Sequence, residues 1–225
     1  MGIGTMRSGG VVGEAARARG LGRFLRLALK LKSTPRTGWL DRGVAVADVE
    51  SVAAHSFQTA LLAWLAAAAD PTLDRDRILK LTLIHDLPEA IIGDWPPYER
   101  GDIPDSTSNR AAWRAFFDRR HSRGASKQAE KKTAERDALN VMLADLTGNA
   151  RIELAALWHE LNEGLTAEAR FVKQADSLEA YLQSRAYLEA DPERPMASFA
   201  VEIEETLNHP ALVALREAAK ADPPS

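Results

Sequence analysis

Cysteine is absent from the 225 residues. Disulfides and thiolate metal sites are therefore excluded, and any metal must be held by His, Asp and Glu. No segment alternates apolar and polar residues with the period of a strand, and no repeat stands out. No apolar run is expected to span a membrane, since Ala60–Ala69 is too short. The first twenty residues lack the apolar core of a signal peptide. The Met1-Gly2 start does not fit myristoylation, because Met6 stands where Ser or Thr is needed. Net charge is small, -3, so bulk electrostatics favour neither nucleic acid nor a membrane surface as a partner. The expected compartment is the cytoplasm.

What is present is ordinary for a globular domain: 45% hydrophobic and 27% charged residues. The length suits one domain with a sizeable core. Residues 1–20 are Gly-rich without hydrophobic period and are expected to be disordered, leaving residues 21–225 as a single domain. Three- and four-residue apolar spacing predicts helices over 21–32, 51–69, 74–87, 109–120, 126–146, 150–161, 167–188, 197–207 and 211–219. Pro88 should end the fourth-turn run before it and open a short helix carrying Glu89. Asn149 is expected to cap the helix that follows it. Residues 34–50 and 98–108 read as loops, and the charged stretch 118–136 as a solvated loop and helix start.

Chemistry-bearing residues cluster at His85-Asp86-Leu87-Pro88-Glu89-Ala90-Ile91-Ile92-Gly93-Asp94. A histidine and carboxylates at the end of an apolar helix are costly to bury alone. A divalent cation would offset that cost, whereas the bland alternative is a wet helix end with His85 satisfied in the core. His55 falls on the apolar side of its helix, and Asp176 borders the buried stripe of another. Two imidazoles and two carboxylates make a mixed nitrogen and oxygen set that leaves positions open for water and substrate. Arg36 and Trp39 lie in the 34–50 loop, either a plain surface loop or one laid over a site with Arg36 offered to an anion. His121 and His159 read as surface or packing residues, and His209 as part of a turn before Pro210.

The order His55, His85-Asp86, Asp176 resembles the signature of the HD-domain metal-dependent phosphohydrolases. Pro35-Arg36-Thr37-Gly38-Trp39, Glu50-Ser51-Val52-Ala53-Ala54-His55-Ser56, the His85–Asp94 block and Phe171-Val172-Lys173-Gln174-Ala175-Asp176 are similar to the HD-domain 5′-deoxynucleotidases in particular. The resemblance implies an all-α HD-domain helical bundle holding one divalent metal ion through His55, His85, Asp86 and Asp176. The residues do not choose among Mn, Co, Mg, Zn and Fe. It implies hydrolysis of (deoxy)ribonucleoside 5′-monophosphates, with Glu89 and Asp94 as catalytic acidic residues, Arg36 on the phosphate and Trp39 on the sugar. A nucleotide is then the small-molecule partner, and a homodimer is compatible. Two alternatives stay open: another phosphate ester as substrate, or a non-catalytic nucleotide- or metal-binding module. The stretch 118–136 matches no block of the family.

Overall fold

Apolar residues at helical spacing fold into helices along most of residues 8–221, which this computed structural model describes. In chain order the helices are α1 Ser8–Ala28, α2 Thr37–Asp41, α3 Val52–Ala66, α4 Arg75–Ile84, α5 Glu89–Ile92 and α6 Arg110–Asp118. They continue as α7 Ala125–Leu143, α8 Asn149–Glu163, α9 Ala167–Ala190, α10 Ala197–Thr206 and α11 Pro210–Ala221. Among the described residues the only strand-like pairing is one antiparallel bridge, Pro35 with Ser51. The all-α expectation holds.

Helix α3 packs between α4 and α9, and these three make the centre. Val52, Ala63, Ile78, Leu81, Ala175 and Leu178 are fully enclosed there. Each large apolar side chain buried in this way contributes about 1.5–3 kcal/mol. Side-chain caps fix where the central helices start. Ser51 accepts from the Ala54 amide, Asp74 from Arg77 and Thr166 from Ala169. These caps set the rotation of α3 and α9, and hence which residues face the centre.

Four local expectations are corrected. Residues 8–20, read as disordered, belong to α1, which runs across the boundary drawn at residue 20; residues 1–7 lie outside the described residues. The 34–50 segment contains the short helix α2. Asn149 is the first residue of α8 and not its cap; Gly148 caps it at φ +66°, a conformation a Cβ disfavours. Finally, Val52–Ala69 is an 18-residue window of mean hydropathy 1.3, long and apolar enough to cross a membrane by those criteria. Its alanines and leucines raise the hydropathy, yet it also carries His55, Gln58 and Thr59.

Gly20 lets α1 lie against the turn that follows α7. A Cβ at Gly20 would fall inside contact distance of the Asp145 carbonyl oxygen. Arg23 ties the same place with two bonds to the Asp145 carboxylate, at 2.6 and 2.7 Å. Gly20→Ala should therefore displace α1 and destabilise the fold by about 1–3 kcal/mol, as overpacking does. Thermal unfolding measures this, and an unchanged melting temperature would refute the close approach.

Candidate active site

Three elements deliver side chains to one point. His55 sits one turn into α3 and is fully buried. His85 follows the last residue of α4, Ile84, where the helix stops ahead of Pro88. Asp176 lies midway along α9. The two imidazoles face each other, with Nε2 of His55 and Nε2 of His85 3.3 Å apart. Asp176 Oδ1 lies 2.9 Å from His55 Nε2 and 4.0 Å from His85 Nε2. Asp86 Oδ2 lies 3.1 Å from His85 Nε2 and 3.7 Å from His55 Nε2. His55, His85 and Asp176 each offer a ligand atom within 4.8 Å of the others, close enough to share one ion, and Asp86 adjoins them through His85.

The charges of the cluster perturb one another strongly. Burial and Arg36 would lower the His55 pKa, but hydrogen bonds to Asp176 and Glu179 outweigh them and push it up to about 10. Burial also lowers His85, and Asp86 more than reverses the effect. Burial raises Asp86 and Asp176, but His85 and Arg36 carry Asp86 well below the usual range, and His55 lowers Asp176. The acids thus hold protons on the imidazoles, and a divalent cation between the four atoms would replace those protons. Glu89 behaves in the opposite way. Burial, then Asp86 and Asp94, raise its carboxyl well above the ordinary value. Its Oε2 is buried without a hydrogen-bond partner.

The 34–50 segment is laid against this cluster. Arg36 N donates to Glu50 O at 3.1 Å, and Val52 N donates to Thr34 O at 2.8 Å, so the segment leaves and rejoins at the start of α3. Arg36 Nη1 reaches Asp86 Oδ2 at 3.3 Å. Burial lowers the Arg36 pKa, but Asp94, Asp86 and Glu89 raise it overall, so the guanidinium stays charged. Asp94 accepts the Thr37 amide at 2.6 Å, and its carbonyl accepts the Thr37 hydroxyl at 2.8 Å. Gly93, at φ +75°, makes the turn that aims Asp94 at Thr37.

Trp39, expected on the sugar, lines the cavity from within a cluster of aromatic side chains. It is 2% exposed, stacked near Phe199 at 4.5 Å and edge-on to Tyr187 at 5.2 Å. Its Nε1 donates to Glu50 Oε1 at 2.7 Å. An indole packed on both sides and satisfied at nitrogen contributes an edge to the cavity wall, and has no free face for a sugar.

A cavity of about 260 Å³ opens beside Arg36, Asp86, Glu89, Asp94 and Asp176. Its other wall comes from the charged stretch read as solvated: Arg120, His121, Arg123 and Lys131. His121, expected at the surface or in packing, stacks on Phe116 at 4.2 Å and also lines the cavity. Arg123 is fastened to the carbonyls of Trp95 and Pro96. The signal that could have found these residues was an unusual density of cations with no family block to explain it. Glu179 was also missed, although it lies one helical turn from Asp176, on the same face of α9. It bonds His55 Nδ1 at 2.5 Å.

Comparison with known proteins gives a family match and several relatives. The family profile described as "HD domain" matches residues 28–210. The human protein named "5'-deoxynucleotidase HDDC2" is 35% identical over 200 residues, covering 88% of this chain and 83% of its own. The Schizosaccharomyces pombe protein named "5'-deoxynucleotidase hdd1" is 31% identical over 174 residues, covering 77% and 75%. The solved structure of a conserved hypothetical protein from Pyrococcus furiosus is 29% identical with a TM-score of 0.63, covering 88% of this chain and 98% of that one.

Proposed function

The chain belongs to the HD-domain family, and from that premise we propose that it is a metal-dependent phosphohydrolase releasing phosphate from deoxyribonucleoside 5′-monophosphates. The observation that carries the reading is the meeting of His55 Nε2, His85 Nε2, Asp86 Oδ2 and Asp176 Oδ1 beside Arg36 and a buried Glu89. The donor chemistry fits a divalent ion bound by nitrogen and oxygen. The names of the relatives support the substrate class, since they cover most of both chains.

His55, His85, Asp86 and Asp176 would hold the ion, which supplies Lewis-acid polarisation of the phosphate and an activated water at neutral pH. Arg36 offers a planar fork of donors to phosphate oxygens that the acidic residues cannot serve while ionised. Glu89, beside Asp86 and Asp94 in the cavity wall, is the group we assign to accept the proton of the attacking water. Asp94 holds Thr37 and so keeps Arg36 beside Asp86. Lys131 on the opposite wall adds positive potential near Glu89.

The test is a panel of deoxyribonucleotides, ribonucleotides and p-nitrophenyl phosphate, assayed for phosphate release with Mn, Co, Mg and Zn. Deoxyribonucleoside 5′-monophosphates should give the highest kcat/KM. Release from another ester alone would move the activity within the family, and no release from any ester would leave a binding module.

Arg36→Ala should keep the metal and lower kcat/KM about ten- to a hundredfold, since charge-assisted bonds contribute roughly 1.5–3 kcal/mol. The lysine variant should recover only part, because an ammonium cannot make the planar fork. Kinetics equal to the parent on every ester would remove Arg36 from the phosphate site.

A further inference from the structure

We propose that Glu179 is a positioning residue: it commits the Nδ1 proton of His55 and so dedicates Nε2 of that ring to the cation. This inference rests on the metal-site reading above. His55 is fully buried and lies between two carboxylates of one helix face. Asp176 meets Nε2 at 2.9 Å and Glu179 meets Nδ1 at 2.5 Å. A neutral imidazole keeps one proton and one lone pair, on different nitrogens. An ionised carboxylate only accepts, so the ring N–H that meets Glu179 is at Nδ1, which donates to it, and the lone pair is left at Nε2. Nε2 is the atom that faces His85, Asp86 and Asp176.

The second imidazole follows the same logic with a different acceptor. His85 Nδ1 donates to the Thr82 carbonyl at 2.7 Å, which leaves its Nε2 turned to His55. Main chain fixes one ring, and Glu179 fixes the other. Glu179 is itself 4% exposed, so its charge has little water and needs the bond to His55.

Glu179, His55 and Glu50 also form a group whose donor atoms lie within 4.8 Å of one another. Their geometry argues against a second ion. The Nδ1 to Oε2 distance of 2.5 Å is that of a short hydrogen bond. Glu50 is already engaged by the Trp39 indole at 2.7 Å. Trp39 and Glu50 thereby close the far side of the His55 ring, and the cation belongs at Nε2.

Losing such an outer partner lowers metal affinity about 10- to 100-fold. The experiment is calorimetric titration of the metal-free full chain with Co2+, alongside the visible absorption of the Co2+ form. The parent is compared with Glu179→Gln and Glu179→Leu. Zn2+-loaded protein is also examined by long-range 1H–15N NMR, which reads the His55 tautomer directly. The parent should carry the proton on Nδ1. The glutamine variant should bind Co2+ about tenfold more weakly and the leucine variant about a hundredfold, both with an altered absorption band. If the leucine variant does not fold, the near-isosteric glutamine variant decides. Parent-like affinity and spectrum in Glu179→Gln would overturn this inference and leave the metal site standing. Absence of Co2+ binding in the parent would overturn both.

Discussion

Glu89→Gln should lower kcat for phosphate release by about 10²–10⁴-fold while metal content stays that of the parent. Glutamine keeps the shape of the side chain but can neither take nor give the proton. The same change should leave the fold as stable or more so. Burial, Asp86 and Asp94 raise the Glu89 carboxyl above its unfolded value. Between the unfolded and folded values the native state therefore binds more protons, so stability falls as pH rises through that window. Glutamine removes that penalty, since it carries no charge to bury. Activity and thermal stability should move in opposite directions at pH 7–8, as is common at functional sites. A kcat within threefold of the parent would dismiss Glu89 as the proton acceptor, and lost metal would make it a ligand.

Stripping divalent cations should abolish phosphate release, a loss of about a thousandfold or more from several kcal/mol of Lewis-acid stabilisation. Mn2+ or Co2+ should restore it. The stripped protein should also carry a pH signature. Hydrogen bonds to Asp176 and Glu179 overcome burial and Arg36 and raise the His55 pKa from 6.5 to about 10. The folded state then binds the extra proton. This stabilisation is complete below the unfolded value and is lost as pH rises toward and through about 10. A bound cation takes the place of that proton at Nε2. The melting temperature of stripped protein should fall from neutral to alkaline pH, and the gap to the loaded form should widen. A gap that narrows as pH rises would show that His55 does not exchange its proton for the ion.

Much of the helical pattern was legible because helices advertise themselves through spacing. Val52, His55 and Thr59 recur on one face, and all three are buried in α3. Asp176 could be read as bordering a buried stripe because Val172 and Ala175 flank it, and both are enclosed. What spacing could not carry was the direction of a side chain outside regular structure. Trp39 sits close to Arg36 in sequence, but α2 turns it inward onto Phe199. The stretch 118–136 looked solvated because its charges are dense. Most are indeed exposed, yet Lys131 reaches the cavity wall and pairs with Glu135 at 3.2 Å. Glu179 was invisible for another reason: an acidic residue on a long helix is ordinarily a surface residue. Only the position of the His55 ring shows that this one is not.

The bridge between Pro35 and Ser51 closes the base of the excursion between them. Its two main-chain bonds, at 3.1 and 2.8 Å, clamp both ends of the excursion. Val46, near its middle, is 80% exposed. The register between the phosphate-side arginine and the first histidine is therefore set by hydrogen bonding at the base, while Trp39 and Val44 pack the inner part of the excursion into the core and leave its tip outside. For the same reason the tip at Val46 is a suitable point for grafting a reporter or affinity peptide. Added chain there leaves from a clamped base and extends outward from the protein.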